Sequence, residues 1–120
     1  MPVWAIRGAT TVENNTRNDI IDSTKELLNE LISSNNIGYD DIISAIFTVT
    51  KDLDSAFPAV AARQLGWKDI ALLCSYEIDV PGSLRNCIRV LMHVNSDKNR
   101  KDLKHVYLKC AKSLRPDLSE

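Results

Sequence analysis

A chain of 120 residues with 44% hydrophobic and 26% charged side chains has the composition of an ordinary globular domain, not of a disordered segment. Fifteen basic against sixteen acidic side chains leave a formal charge of -1 and a pI near 6.1, with no basic stripe, which argues against nucleic acid as a partner. No apolar run approaches the roughly 20 residues that span a bilayer, and the N-terminus lacks a secretory signal pattern, so a single cytoplasmic domain over residues 1–120 is expected.

Val3 to Val12 reads as a strand, with Ala5 and Arg7 on one face and Trp4 and Ile6 on the other. Gly8 would let backbone or ligand come close to that edge. Thr16, followed by Asp19, predicts an N-cap for a helix whose apolar positions Ile20, Ile21, Leu27, Leu28, Leu31 and Ile32 trace one stripe. Ser33-Ser34-Asn35-Asn36 and Gly38 end it. Asp40 and Asp41 can begin a brief helical turn before Ile42 to Thr50, where β-branched enrichment argues for a strand. Phe57-Pro58 opens a short helix from Pro58 to Leu65 that Gly66 closes.

Trp67 to Tyr76 supplies the next strand, and Val80-Pro81-Gly82 breaks regular pairing after it. The connection to Cys87–Val94 is too short for a helical crossover, so these two strands are expected to be antiparallel. His105-Val106-Tyr107-Leu108 follows as a short strand or extended edge, and Pro116 denies the tail Leu114–Leu118 a helix. The order predicts an α+β fold, a mixed β-sheet with helices packed on one face. The other face needs a cover, which points to oligomerisation and to a site between subunits.

Arg89 stands in the middle of the run Cys87-Ile88-Arg89-Val90-Leu91-Met92-His93-Val94, otherwise apolar enough for an interior strand. A guanidinium cannot shed its charge, so burying it demands an anion, and Arg7 repeats the arrangement in the first strand. Two such arginines suggest a pocket for a small, carboxylate-bearing molecule. His93 shares the strand face of Arg89 and reads as a hydrogen-bonded structural histidine. Strict alternation puts Cys74 and Glu77 on opposite faces unless the strand bends. Cys74, Cys87 and Cys110 are odd in number without CxxC spacing, so reduced and mostly buried thiols are expected. Zinc spacings, a Walker loop, GxGxxG, GxSxG and HExxH are all missing, and each absence removes a common enzyme class.

Six blocks carry a resemblance in collinear order: Ile6-Arg7-Gly8-Ala9-Thr10-Thr11-Val12-Glu13, Phe57-Pro58-Ala59 leading to Arg63, Glu77-Ile78-Asp79-Val80, Cys87-Ile88-Arg89-Val90, His105-Val106-Tyr107-Leu108 and Leu114-Arg115-Pro116-Asp117-Leu118. Together they resemble the monofunctional chorismate mutases of the Bacillus type over essentially the whole chain. The resemblance implies a homotrimer, a trimeric pseudo-α/β barrel with active sites between subunits, and a cofactor-free, metal-free Claisen rearrangement of chorismate to prephenate. It implies Arg89 at the ether oxygen, Arg7 and Tyr107 at the side-chain carboxylate, and Glu77 with the Cys74 thiol at the ring hydroxyl.

It further implies that Phe57 and Arg63 come from the adjacent subunit, that Ala59 is among the substrate-binding residues, and that the backbone from Leu73 through Ser75 and Tyr76 to Glu77 lines the cleft. Leu114 and Arg115 would close over the ligand. Two departures accompany these matches. Val60 stands where the Bacillus-type sequence has a cleft lysine, leaving Lys51 or Lys68 to supply rim charge, and little tail follows Arg115 to act as a lid. The competing readings are a non-catalytic trimeric module that binds a small carboxylate as a regulator, and an imine deaminase of a related trimeric fold. A binding module could use Arg7 and Arg89 but has no need for Glu77 aimed at a hydroxyl.

Overall fold

In the computed structural model, which describes residues 1–116, the polypeptide builds one five-stranded sheet. The strands are β1 (Val3–Thr11), β2 (Ile42–Val49), β3 (Ala71–Tyr76), β4 (Cys87–Asn95) and β5 (Val106–Tyr107), in the spatial order β3-β2-β4-β1-β5. Two helices, α1 (Arg17–Asn35) and α2 (Ala59–Gln64), follow β1 and β2. Tyr39–Asp41, Arg100–Asp102 and Lys109–Leu114 form 3-10 turns, the first of them at the acidic pair expected to begin one.

The sequence signals at the ends of α1 operate as local chemistry predicts. Thr16 accepts the Asp19 N–H at 3.1 Å, and Asn36 adopts a left-handed conformation (φ 51°) from which its N–H meets the carbonyls of Ile32 and Ser33. Leu27, Leu28 and Leu31 then bury against Ile6, Phe47, Val90 and Met92, with Ala59 and Ala62 of α2 in the same core. Gly8 serves this contact: a Cβ there would lie 2.9 Å from a Leu31 methyl and 3.3 Å from the Val106 carbonyl oxygen. The close approach is therefore made by α1 and β5.

Alternation along β4 is clean. Ile88, Val90, Met92 and Val94 are buried under the helices, whereas Arg89, Leu91 and His93 stand half-buried on the opposite face. The helices thus occupy one face, as expected. Arg89 belongs to a central strand but to the open side of it, and the interior position that its apolar neighbours suggested does not exist. Those neighbours are apolar for two reasons, one set packing under helices and the other lining an open sheet.

Two expectations about β3 change. Its ladder begins at Ala71, because Trp67 and Ile70 enter the core from the preceding loop. It runs opposite to β4, yet the two never pair: β3 lies parallel to β2, and β2 separates it from antiparallel β4. Only part of the open face is covered, where the Lys109–Leu114 turn lays Ala111 and Leu114 against Ala9 and Cys87. Of the three thiols Cys87 is buried, Cys74 half-buried and Cys110 exposed. Asp117 and Leu118, part of the tail reading, lie outside the described residues.

Candidate active site

On the open face, Arg89 sits between Thr48 of β2 and Ala9 of β1, its partners in register. Its side chain is 41% exposed, but Nε is buried and makes no hydrogen bond. Beyond the end of β3, the Glu77 N–H donates to the Val49 carbonyl at 2.9 Å, which extends the pairing with β2 by one residue. That step brings the Glu77 carboxylate onto the Arg89 side. Its Oε1 lies 3.6 Å from Arg89 Nε and accepts the Thr48 hydroxyl at 2.6 Å. One carboxylate oxygen is thereby fixed by a cation and a hydroxyl together.

Arg7 lies on the same face two residues along β1 from Ala9, which makes it a diagonal neighbour of Arg89. Tyr107 pairs with Ala9 from β5, and Leu114 and Arg115 arrive from the end of the 3-10 turn. Arg7, Glu77, Arg89, Tyr107, Leu114 and Arg115 line one cavity of about 360 Å³, floored by Ile46, Thr48 and Leu91. Three guanidinium groups against one carboxylate favour an anion there, and the glutamate adds a single acceptor for a hydroxyl.

Two groups beside the cavity are shifted toward their neutral forms. Burial pushes the Cys87 thiol above its ordinary range, with the neighbouring Arg89 charge opposing only part of that rise. Burial, then the charges of Arg7 and Arg115, hold His105 below the usual histidine value. His93 meets the Ser44 hydroxyl at 3.2 Å, the hydrogen-bonded structural arrangement read from the sequence.

A second cavity, of about 520 Å³, is lined by Phe57, Pro58, Cys74, Ser75 and Tyr76 together with Arg17, Asp54 and Ser55. It shares no residue with the first. Cys74 therefore does not join Glu77 within one chain: alternation along β3 is strict, and Cys74 turns toward the helix-covered core while Ser75 shares the Thr48 side. Ala59 is buried in the core, and the exposed Arg63 and Leu73 line neither cavity.

Three residues near these cavities escaped the sequence reading. Thr48 becomes visible only once β2 is registered against β4, and His105, which has no partner nearby in sequence, receives the Arg7 N–H. Arg17 lines the Phe57 cavity, whereas Lys51 and Lys68, the expected sources of rim charge beside Val60, do not. The signal for Arg17 was its place directly after the N-cap Thr16, where a cation opposes the helix dipole.

Comparison with known proteins adds a family to this geometry. The profile of the family described as chorismate mutase type I matches residues 3–118. A chorismate mutase of Bacillus subtilis (strain 168) is 43% identical over 120 residues, 99% of this chain and 94% of that protein. One of Thermus thermophilus is 50% identical over 117 residues, covering 97% and 96% of the two chains. Among solved structures, a chorismate mutase from Clostridium thermocellum superposes with a TM-score of 0.91 at 64% identity, over 92% of this chain and 98% of that one.

Proposed function

Because the chain belongs to the chorismate mutase type I family, an isomerase family of aromatic amino-acid biosynthesis, we propose that its arginine-lined cavity rearranges chorismate to prephenate. In this pericyclic step the enolpyruvyl carbon–oxygen bond breaks ahead of carbon–carbon bond formation, and negative charge grows on the ether oxygen. A fixed cation there stabilises the transition state more than the ground state, which is the requirement for catalysis. Arg89 has that role. The supporting observation is its buried Nε–H, which makes no hydrogen bond, at the centre of a cavity that also gathers Arg7, Glu77 and Tyr107.

Arg7 and Tyr107 take the side-chain carboxylate. Glu77 accepts from the ring hydroxyl with the oxygen that Thr48 does not engage, so opposite charges stand at the two ends of a polarising substrate. Arg89 works by charge and hydrogen bonding and transfers no proton, because a guanidinium stays protonated throughout the physiological range. The reaction consumes one molecule and yields one isomer, with no covalent intermediate. Selecting the compact conformer of a single substrate supplies a conformational gain smaller than the joining of two reactants.

The site is completed in a homotrimer, a pseudo-α/β barrel in which a neighbouring copy brings Phe57, Leu73 and the chain around Cys74, Ser75 and Tyr76 over the cavity, with Arg63 on the same approach. Phe57 is 69% exposed and Leu73 60%, beside the unpaired edge of β3, an apolar surface of the kind subunit contacts cover. Arg115 and Leu114 close the cleft from the other side. The free thiols Cys74, Cys87 and Cys110 suit a reducing, cytoplasmic setting.

The test is direct: purified protein is incubated with chorismate in chelator-containing buffer without cofactors, and prephenate formation is followed. Turnover far above the buffer rate is expected. No acceleration would end this reading. Light scattering at the same concentration checks the trimer, for which a mass three times that of the chain is expected.

A further inference from the structure

His105 lies just before β5, and its ring does work that a strand backbone ordinarily does. β1 runs between β4 and β5, so its N–H and C=O groups point alternately to its two neighbours. Gly8 and Ala9 pair with Val106 and Tyr107, and the Leu108 N–H closes on the Ala9 carbonyl at 2.9 Å. β5 is two residues long. The N–H of Arg7 is accepted by His105 Nδ1, at 2.9 Å, where a longer strand would have offered a carbonyl.

The approach to β5 is fixed from the helix side as well. Asn35, at the end of α1, accepts the Lys104 N–H through Oδ1 at 2.7 Å and donates to the Lys104 carbonyl at 2.9 Å. His105 therefore leaves a clamped residue and enters the sheet with its ring directed at Arg7.

An Nδ1 that accepts carries no proton, so the ring is the neutral tautomer with its hydrogen on Nε2. The surroundings favour that form. The ring is partly buried and feels two cations, Arg7 on β1 and Arg115 beyond the 3-10 turn, while α1 offers the uncharged Asn35 amide to the adjoining Lys104. No carboxylate among the described residues acts on it.

We propose that His105 is a positioning residue of the site: its Nδ1 locks the backbone of Arg7 to the β5 segment, so that Arg7 and Tyr107 meet one substrate carboxylate in a fixed register. The proposal rests on the assignment of those two residues to the carboxylate. Protonation would turn the acceptor into a donor facing a donor and would place a third cation beside Arg7 and Arg115. Because the folded-state value lies below the ordinary 6.5, the ring stays neutral at neutral pH, and the lock is lost only as the pH falls from 6.5 through that lower value. The first quantity to suffer is carboxylate binding, hence KM, while the step at the ether oxygen belongs to Arg89.

The experiment uses the full chain with 15N-labelled histidine. Ring NMR between about pH 4 and 8 is expected to show an unprotonated Nδ1 at neutral pH and a titration below 6.5. Kinetics with chorismate over the same range should give a kcat/KM that is flat above that titration and falls through it, mainly by a rise in KM. His105→Ala should lower kcat/KM about tenfold, the size expected for one lost hydrogen bond, and erase the acid limb. His105→Asn, whose Oδ1 replaces Nδ1 as a non-titrating acceptor, should restore most of the loss without restoring the limb. A proton on Nδ1 at neutral pH, or variants that keep the wild-type KM and acid limb, would overturn the proposal. A wild type without mutase turnover removes the functional reading and this proposal with it, whereas an active wild type with indifferent variants removes the proposal alone.

Discussion

The two cavities of this small sheet differ in what they gather. The one on the open face draws Arg7 from β1, Arg89 from β4, Glu77 from the end of β3 and Arg115 from beyond the last 3-10 turn, so four separated pieces of chain aim charge into about 360 Å³. The other is larger, about 520 Å³, yet it presents an exposed phenyl ring, the last residues of β3 and rim charges of both signs from Arg17 and Asp54. Oriented charge, and not volume, separates a place where a bond can be polarised from a wall that a ligand can rest against. The cavities share no residue, and in the proposed trimer a ligand seated between two copies of the chain would use both.

The sharpest way to break this division is to remove the central charge. Arg89→Ala is expected to fold, since its side chain is 41% exposed and supports no core contact on the helix face, and to lose kcat by a factor of hundreds or more. That loss corresponds to about 3 to 4 kcal/mol, typical for one preorganised donor at a developing oxyanion. Phe57→Ala, made in parallel, should raise KM and leave most of kcat. Equal kcat losses in the two variants, measured by following prephenate, would show that the charged cavity has no privileged part in the chemical step.

A smaller effect tests how the carboxylate is held. Thr48→Val removes the hydroxyl at 2.6 Å from Glu77 Oε1 while keeping the strand shape, and should lower kcat/KM about tenfold. Thr48→Ser should restore it. A Val variant with wild-type kinetics would mean that Arg89 alone orients Glu77.

Arg89 and Arg7 stood out as cations in apolar strands, Glu77 and Tyr107 entered only through the family resemblance, and all four line one cavity. Strand alternation placed Arg7 apart from Ile6 and put Cys74 and Glu77 on opposite faces, both of which hold. The same alternation could not say that Arg89 stands on an open face, because apolar residues occur on both sides of β4: Val90 under the helices and Leu91 beside the cavity. Sheet order was also beyond a local reading. A short connection fixed the opposite directions of β3 and β4, yet it carried no sign that β2 would lie between them. Thr48 and His105 depend on that order, since each acts on a residue far away in the chain through a register that no spacing encodes.

The smallest expected effect concerns the rim of the larger cavity. Arg17 sits at the first position of α1, where the helix dipole disfavours a cation, and its place costs stability unless an anion comes near. Val60 leaves the neighbouring helix without a cation at its second position, so Arg17 is the positive group on the Phe57 cavity. Arg17→Ala should therefore raise KM a few-fold with kcat unchanged, because an exposed charge attracts a dianionic substrate without touching the breaking bond. The increase should shrink as salt is added, since the Debye length falls from about 30 Å at 0.01 M to about 8 Å at 0.15 M. Thermal stability should hold or rise slightly once the unfavourable cation leaves the helix start. A KM indifferent to both the substitution and the salt would confine substrate attraction to the cavity that holds Arg7 and Arg89.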